Sequence, residues 1–245
     1  MAVDYNNLTH KWNDIHRYAP ASRHRRRIII NLIKGLKWAS CIDAGCAQPY
    51  LLEELSKLKN CRHLYGCDIA KPVIEKNRKL FGKAKFEVVD LEKKRYPGDK
   101  VFDLVISSEV IEHIKNYGKA ITNLCKMSAK YVLITVPSGK IFNIDRKVGH
   151  YRHFDIETLE KEFNKNGFIL RFKRYWGFPF HTLYKNAINE VAPDVVYRNF
   201  AEAAYGPVKK MISNLLYLLF FLDYPFNAGG QLIMLAEKKE KQINL

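Results

Sequence analysis

The chain has 245 residues, 47% of them apolar, which argues for a packed core rather than disorder and fits one α/β domain with additions. Its 41 Lys and Arg exceed its 25 Asp and Glu, and the formal charge of +16 favours an anionic partner such as nucleic acid, acidic lipid or a phosphorylated compound. No segment reaches the ~20 apolar residues that span a bilayer, which argues against a transmembrane helix.

The five cysteines are odd in number and show no CxxC spacing, so we do not expect a disulfide framework. The first twenty residues have no continuous apolar run of the kind that a secretory signal needs. We therefore expect a cytoplasmic protein, either soluble or attached to the periphery of a membrane.

The predicted elements begin with a helix over 22–38, in which Ile28, Leu32 and Leu36 recur on one face. Strands are then predicted at 39–44, 63–68, 85–89, 101–107, 131–136, 168–174 and 231–237. Helices are predicted between them at 50–57, 72–81, 119–127 and 156–166. Strands that alternate with helices predict a Rossmann-like α/β fold, doubly wound, with a mostly parallel sheet of about seven strands.

Residues 176–230 do not continue this alternation. They are rich in aromatics and end in a strongly apolar run at 211–222, and Pro207 is predicted to open a helix there. We interpret the chain as a single domain in four parts: an N-terminal helical lead at 1–37, a core at 38–175, a helical insertion at 176–230 and the last strand at 231–237.

Polar and small residues follow the early strands. An open parallel sheet binds ligands at the carboxyl ends of its strands, near the point where the winding reverses. The first strand ends in CIDAGC, which places Asp43 and Gly45 at a tight turn into a helix. The second ends at Asp68, where a carboxylate can accept both hydroxyl protons of a ribose. The third ends at Asp90 and Leu91, a polar and an apolar contact for a purine.

The fourth strand continues as FDLVISSEVIEHI, with Ser108 near its end. Together these motifs resemble the class I S-adenosylmethionine-dependent methyltransferases: a Gly-rich turn after strand one, an acidic residue after strand two, an Asp after strand three and an apolar fourth strand before an EH pair. The resemblance covers 37–167, with the motifs in order and in register. It implies S-adenosylmethionine as cofactor, with contacts from Asp43, Gly45, Asp68, Asp90, Leu91 and Ser108.

One turn departs from the family pattern. Where the family has a GxGxG-like turn, this chain has Gly45, Cys46, Ala47, Gln48 and Pro49. Ala47 is a mild change, whereas Pro49 removes an N–H and excludes a positive φ, which suits the first turn of a helix. We expect cofactor binding to survive, and the alternative is a non-catalytic relative that kept the fold.

The EVIEH motif supplies candidate residues for the chemistry. Glu109 precedes Glu112 by three residues and His113 by four, which on a helix places the three on one face. With His150 downstream, the pattern resembles the metal site of small-RNA 2′-O-methyltransferases, and EVIEH alone resembles the ubiquinone-biosynthesis O-methyltransferases. The resemblance implies a divalent cation, Mg²⁺, Mn²⁺ or Zn²⁺, held by Glu109, Glu112, His113 and His150.

Two interpretations without a metal stay open. Glu112 and His113 would then only orient the active-site loop, or His113 or His150 would act as the general base, since neutral imidazole is available near pH 7. His153 is interpreted as a structural partner of Asp155 at the start of the next helix.

The resemblance implies transfer of a methyl group to an oxygen of a small acceptor, free, lipid-linked or phosphorylated, because similar chains with an apolar insertion often act on such molecules. The lead and the insertion should form the acceptor pocket. The alternative is an RNA 2′-O-methyltransferase, favoured by the charge and by EVIEH, which predicts salt-dependent RNA binding.

Two segments outside the core are candidates for partner contacts. The arginines at 17, 23 and 25–27 are a candidate phosphate-binding patch. Residues 207–222 are a candidate membrane contact, because lysines flank an apolar helix. The oligomeric state stays open.

Overall fold

The computed structural model describes residues 13–191 and 204–239. The rest of the predicted lead and insertion, at 1–12 and 192–203, lies outside the described residues. The strands are β1 (Ser40–Ala44), β2 (His63–Asp68), β3 (Ala84–Val88), β4 (Phe102–Ser108), β5 (Ser128–Pro137), β6 (Phe168–Trp176) and β7 (Gln231–Lys238). The α-helices are α1 (Asn13–Tyr18), α2 (Pro20–Ile33), α3 (Tyr50–Leu55), α4 (Lys71–Leu80), α5 (Tyr117–Lys126), α6 (Asn143–Lys147), α7 (Ile156–Lys165), α8 (Phe180–Val191) and α9 (Pro207–Leu219).

The described strands form a seven-stranded sheet in the order β3-β2-β1-β4-β5-β7-β6. Strand β7 runs antiparallel to both of its neighbours, and the other pairs are parallel. The winding reverses between β1 and β4, so the carboxyl ends of these strands open a crevice for a ligand. The predicted Rossmann-like fold is confirmed, with α8 and α9 preceding the last strand.

The predicted helix at 22–38 is wrong at both ends. Helix α2 begins at Pro20, because a proline fits the first turn where its missing N–H is not needed. It ends at Ile33, whose carbonyl oxygen accepts a hydrogen bond from the indole Nε1 of Trp38 at 2.9 Å. The segment after Ile33 therefore turns back and satisfies a carbonyl at the helix end instead of extending the helix.

Apolar side chains cover both faces of the sheet. Helices α5 and α7 pack on one face, where Phe163 is fully buried, and α2, α3 and α4 pack on the other, where Leu52 is fully buried. Neighbouring strand residues such as Cys41 and Ile42 point to opposite faces. Burial on both faces explains why the strands appear in the sequence as nearly continuous apolar runs.

Helix α9 packs across α2. The Nη1 of Arg23 donates to Asn214 Oδ1 at 2.7 Å, and its guanidinium lies 3.7 Å from the centroid of the Tyr217 ring. The buried His24 Nε2 donates to the Tyr217 carbonyl at 2.7 Å. Side chains of the lead thus hold the helix of the insertion in place. Within the described ranges, no helix has the length and apolar character to cross a membrane.

Two residues of the arginine-rich segment form ion pairs on different sides of α2. Arg26 Nε donates to Glu54 Oε1 at 2.6 Å, on the α3 side of α2. Arg25 pairs with Glu109 at 3.3 Å, on the side of the β4 loop. Because successive residues of a helix point in different directions, consecutive arginines here contact different elements of the fold. Two of the five arginines of the expected phosphate-binding patch are therefore used in ion pairs within the fold.

Candidate functional site

The turn after β1 lies against β2 and the loop that follows β4. The N–H groups of Gly45 and Cys46 both donate to the Cys67 carbonyl, at 2.7 and 2.9 Å. Gly45 has a φ of +88°, and a Cβ at this position would lie 2.3 Å from Val110 Cγ2. Both the conformation and the lack of space require glycine here, and the bare backbone lets a ligand approach closely.

Ala47 takes a φ of +39°, in the left-handed region where a Cβ costs about 1 kcal/mol or more. The change that was expected to be mild therefore carries a conformational cost. Two hydrogen bonds hold the residue: its N–H donates to Asp68 Oδ2 at 2.9 Å, and its carbonyl accepts from Asn77 Nδ2 at 2.7 Å. Pro49 has a φ of −80° and directly precedes α3, as its restricted geometry predicts.

Two carboxylates lie beneath this turn. Asp68, at the end of β2, uses Oδ2 on the N–H of Ala47 and Oδ1 on the N–H of Ala70, each at 2.9 Å, which fixes the carboxylate at the edge of the cavity. Asp43 is only 3% exposed. Burial, followed by the nearby charge of Asp68, raises the pKa of Asp43 to about 7. A positively charged ligand would stabilise both ionised carboxylates.

The residues after β3 face the same space. Asp90 Oδ1 accepts from the N–H of Glu92 at 3.0 Å, and Oδ2 pairs with Lys93 at 3.1 Å. Leu91 is 5% exposed and presents an apolar contact. Four of the predicted cofactor residues line one cavity: Gly45, Asp68, Asp90 and Leu91.

The other two predicted cofactor residues do not line the cavity. Asp43 is buried within β1, where its charge acts at a distance. The hydroxyl of Ser108 shares a 2.8 Å hydrogen bond with Thr135 Oγ1 on the neighbouring strand. In this structure Ser108 joins β4 to β5, and its contact with a cofactor stays a prediction.

The cavity has a volume of about 950 Å³ and extends from the strand ends into a space bordered by helices. We call the part at the ends of β1, β2 and β3 the sheet-edge half, and the part bounded by α1, α2, α8, α9 and the loops after β4 and β5 the helix-walled half. Small-ligand sites range from ~300 to ~1,000 Å³. The volume is therefore sufficient for a cofactor and a second molecule.

The helix-walled half is mostly apolar, and two of its cations are paired with carboxylates. Arg25 Nη2 lies 3.3 Å from Glu109 Oε2, and Lys185 Nζ lies 3.7 Å from Asp145 Oδ1. The apolar lining includes Ile144, Val148, Ile188, Ile212, Leu216 and Phe220. This half is therefore suited to a molecule with an apolar portion and little net charge.

The EVIEH segment is not an α-helix. Glu109 has a φ of +58°, and Ile111–His113 forms a 3₁₀ turn. Besides its pairing with Arg25, the Glu109 carboxylate accepts from Thr135 Oγ1 at 3.2 Å. The expectation that Glu109, Glu112 and His113 share one helix face is therefore wrong, because the chain changes direction at Glu109.

Glu112, His113 and His150 converge at the wall of the helix-walled half. Glu112 is fully buried, and neither carboxylate oxygen has a hydrogen-bond partner among the described residues. The rings of His113 and His150 are nearly perpendicular, with centroids 4.5 Å apart. One ligand atom from each of the three lies within 4.8 Å of the others. A carboxylate with two imidazoles fits a divalent cation such as Zn²⁺ or Mn²⁺, with Glu109 outside this set.

Burial controls the protonation of this cluster. Burial, followed by the charge of Glu109, raises the pKa of Glu112 well above its usual range. Burial lowers the pKa of His113 to about 4 and that of His150 to about 2. Both imidazoles are therefore neutral near pH 7, the form that binds metals or accepts protons.

A second histidine orients His150. Burial lowers the pKa of His153, so its ring is also neutral near pH 7. Its Nδ1 donates to the Gly139 carbonyl at 3.1 Å, so its Nε2 accepts from His150 Nδ1 at 3.3 Å. This arrangement leaves the lone pair on Nε2 of His150. The expected pairing of His153 with Asp155 is wrong, because Asp155 instead caps α7 by accepting from the N–H of Thr158 at 2.7 Å.

Asp145 and Lys185 belong to the site but were not found from the sequence. Asp145 Oδ2 lies 3.4 Å from His153 Nε2 and accepts from the N–H of Phe142 at 2.9 Å. The closeness of Asp145 to His150 in the sequence was a signal for this residue. Lys185 comes from the distant helix α8 and has no motif that connects it to the histidines.

This chain is similar to a known family in sequence and to solved structures in fold. Residues 8–171 match a family model described as a methyltransferase domain. No curated protein matches the chain by sequence. The N-methyltransferase NodS from Bradyrhizobium japonicum WM9, solved with S-adenosyl-L-homocysteine, has a similar structure with a TM-score of 0.61 and 15% identity, covering 96% of this chain and 98% of that one.

Two further solved structures are similar. Magnesium protoporphyrin IX methyltransferase from Synechocystis PCC 6803, with bound SAH, has a TM-score of 0.53 and 13% identity, covering 97% of this chain and 89% of that one. Phosphoethanolamine N-methyltransferase 2 from Haemonchus contortus, in complex with S-adenosyl-L-methionine, has a TM-score of 0.61 and 14% identity, covering 97% of this chain and 60% of that one. At these identities the likeness shows the fold, whereas the family model extends over more than half of the chain. The chain therefore belongs to the methyltransferase domain family, and it is an enzyme that uses S-adenosylmethionine as its methyl donor.

Proposed function

We propose that the enzyme methylates an oxygen of a small acceptor that has an apolar portion, such as a lipid-linked compound. The supporting observation is that one cavity of about 950 Å³ contains both the sheet-edge half, with its cofactor residues, and the helix-walled half, with its histidines. Methyl transfer is an in-line displacement, so the donor and the acceptor need to be aligned in one enclosed space.

The lining of the helix-walled half favours this acceptor over a phosphorylated one or RNA. Two of its cations, Arg25 and Lys185, are already paired with Glu109 and Asp145, and a third, Lys209, lies 4.1 Å from the centroid of the Tyr205 ring. A phosphate would have to compete with these carboxylates for the same charges. The apolar side chains around them match a lipid-like portion better than a polynucleotide.

An acceptor hydroxyl has to lose its proton as it is methylated. His150 presents the lone pair of Nε2, because Nδ1 donates to His153. We infer that His150 accepts this proton and that His113, beside it, aligns the hydroxyl. The lowered pKa of each ring makes it a weak base, which favours additional activation of the hydroxyl. The alternative is a divalent cation held by Glu112, His113 and His150, which would occupy this lone pair and lower the pKa of the hydroxyl directly, so that its proton would leave to water instead of to His150.

The test compares His150→Ala with His63→Ala. His63 is an exposed residue at the start of β2, at the amino ends of the parallel strands and therefore away from the cavity. Formation of S-adenosylhomocysteine is measured over a panel of alcohols and phenols with apolar chains. We expect His150→Ala to lower turnover by about 100-fold and to leave cofactor affinity unchanged. Equal turnover in the two variants would contradict the role of His150.

The metal assignment is tested separately by calorimetric titration of Zn²⁺ and Mn²⁺ into the metal-stripped protein. We expect Glu112→Gln and His150→Ala to abolish binding, and Glu109→Gln to retain it, because Glu109 is paired with Arg25. Unchanged binding in Glu112→Gln would rule out this site and leave the histidines as the acid–base groups.

A further inference from the structure

One face of α9 and of the turn that follows it is apolar and exposed. Met211, Leu215, Leu218 and Leu222 recur every three or four residues, which aligns them in a stripe along a helix. Each is between 56% and 63% exposed. Leu216, on another side of the same helix, lines the cavity. The exposed stripe is therefore separate from the face of α9 that encloses the cavity.

Positive charge borders this stripe. Residues 206–222 contain two lysines and no acidic residue. Three guanidiniums lie over aromatic rings of this region, at 3.7 to 4.7 Å from their centroids: Arg23 over Tyr217, Arg27 over Phe221 and Arg174 over Tyr224. Their hydrogen-bond partners are an amide oxygen, a histidine nitrogen and backbone carbonyls. In the part of the chain that the structure describes, no carboxylate neutralises these three arginines.

We propose that this surface, the stripe with its bordering arginines, docks on an anionic lipid bilayer. Apolar side chains enter the acyl boundary of a bilayer, and guanidiniums bind lipid phosphates in two-pronged hydrogen bonds. Helix α9 has 13 residues and a length of about 20 Å, less than the ~30 Å of a hydrocarbon core, so it lies in the interface.

The charge pattern favours a bilayer over two other partners. A second copy of this chain, paired through the same face, would bring the guanidiniums of both copies together. A polynucleotide would match the guanidiniums but not the leucines. Docking along α9 places the helix-walled half of the cavity one helix diameter, about 10 Å, from the lipid.

The experiment is flotation of the full chain with vesicles of phosphatidylcholine alone or with one quarter phosphatidylglycerol. The test variant is Leu215→Glu with Leu218→Glu. The matched control is Leu80→Glu, since Leu80 is 67% exposed but ends α4 at the amino edge of the parallel strands, opposite the cavity. We expect the wild type and the control to float with the anionic vesicles. The fraction of the test variant that floats should be lower by about ten-fold or more. High salt should weaken wild-type binding.

Two results would overturn the proposal. One is that the wild type does not float with anionic vesicles, or that the test variant floats with them as well as the wild type does. The other is a wild type that ignores vesicles and is dimeric in light scattering while the test variant is monomeric, which would assign the stripe to a second copy. Calorimetric titration of S-adenosylmethionine verifies that each variant is folded, so failure of docking is distinguishable from failure of the methyl-transfer proposal.

Discussion

The two halves of the cavity are constructed in different ways. In the sheet-edge half, Gly45, Asp68 and Asp90 lie at strand ends or within two residues of them, and backbone hydrogen bonds fix the turns that contain them. In the helix-walled half, Arg25 and Lys185 come from helices far apart in the chain and are held by side-chain pairs. The shape of the first half therefore depends on backbone conformation, and that of the second half depends on side chains.

This difference predicts different sensitivities. Ligand binding in the sheet-edge half should be lost when a Cβ is added or a φ is changed. Ligand binding in the helix-walled half should respond to changes in the charge or size of side chains. The pH dependence of the two halves should also differ, because the buried carboxylate of Asp43, beneath the sheet-edge half, has a pKa raised to about 7, while the histidines of the helix-walled half stay neutral.

The largest expected effect is that of Gly45→Ala. The positive φ and the contact with Val110 together cost about 3 kcal/mol, which should weaken S-adenosylmethionine binding by about 100-fold. Calorimetric titration measures it, with Gly35→Ala as the control, because no atom lies within 4 Å of a Cβ there. Zn²⁺ binding should be unaffected in both variants, and its loss in Gly45→Ala would show that the two halves are not independent.

A smaller effect concerns pH and Asp43. With its pKa raised to about 7, Asp43 is mostly protonated at pH 6 and mostly ionised at pH 8 in the free protein. The positive sulfonium of S-adenosylmethionine favours the ionised form, so its dissociation constant should decrease by about ten-fold from pH 6 to pH 8. S-adenosylhomocysteine has a neutral sulfur and serves as the control ligand. The same pH dependence in Asp43→Asn would assign the titration to another group.

The smallest expected effect is that of Ala47→Gly. Glycine relieves the cost of the left-handed conformation, partly offset by the greater freedom of glycine in the unfolded chain, for a net gain below about 1 kcal/mol. Ala70→Gly is the matched control, because Ala70 also donates its N–H to Asp68 but has a φ of −81°, so that change should destabilise. Thermal unfolding compares the two, and a loss of stability in Ala47→Gly would show that residue 47 is not strained.

Much of the sheet-edge half could be predicted from the sequence, and much of the helix-walled half could not. Asp68 and Asp90 follow apolar runs directly, so their place at the strand ends follows from the order of elements. Asp145 and Lys185 lie outside any motif and meet only because α6 and α8 border one cavity. Glu109 was predicted on a helix because its spacing to His113 is helical, but its left-handed φ prevents an α-helix from including this residue.

The amino-acid sequence was sufficient to predict the alternation of strands and helices, the mostly parallel sheet, the methyltransferase family and the residues at the first strand ends. These features depend on local patterns: apolar periodicity, and small or acidic residues directly after a strand. Three features became visible only in the folded chain: the arginines of α2 contact several elements, His153 orients His150, and α9 has one face on the cavity and a separate exposed apolar stripe. Those contacts join residues from distant parts of the chain, and only the packing of helices around the sheet brings them together.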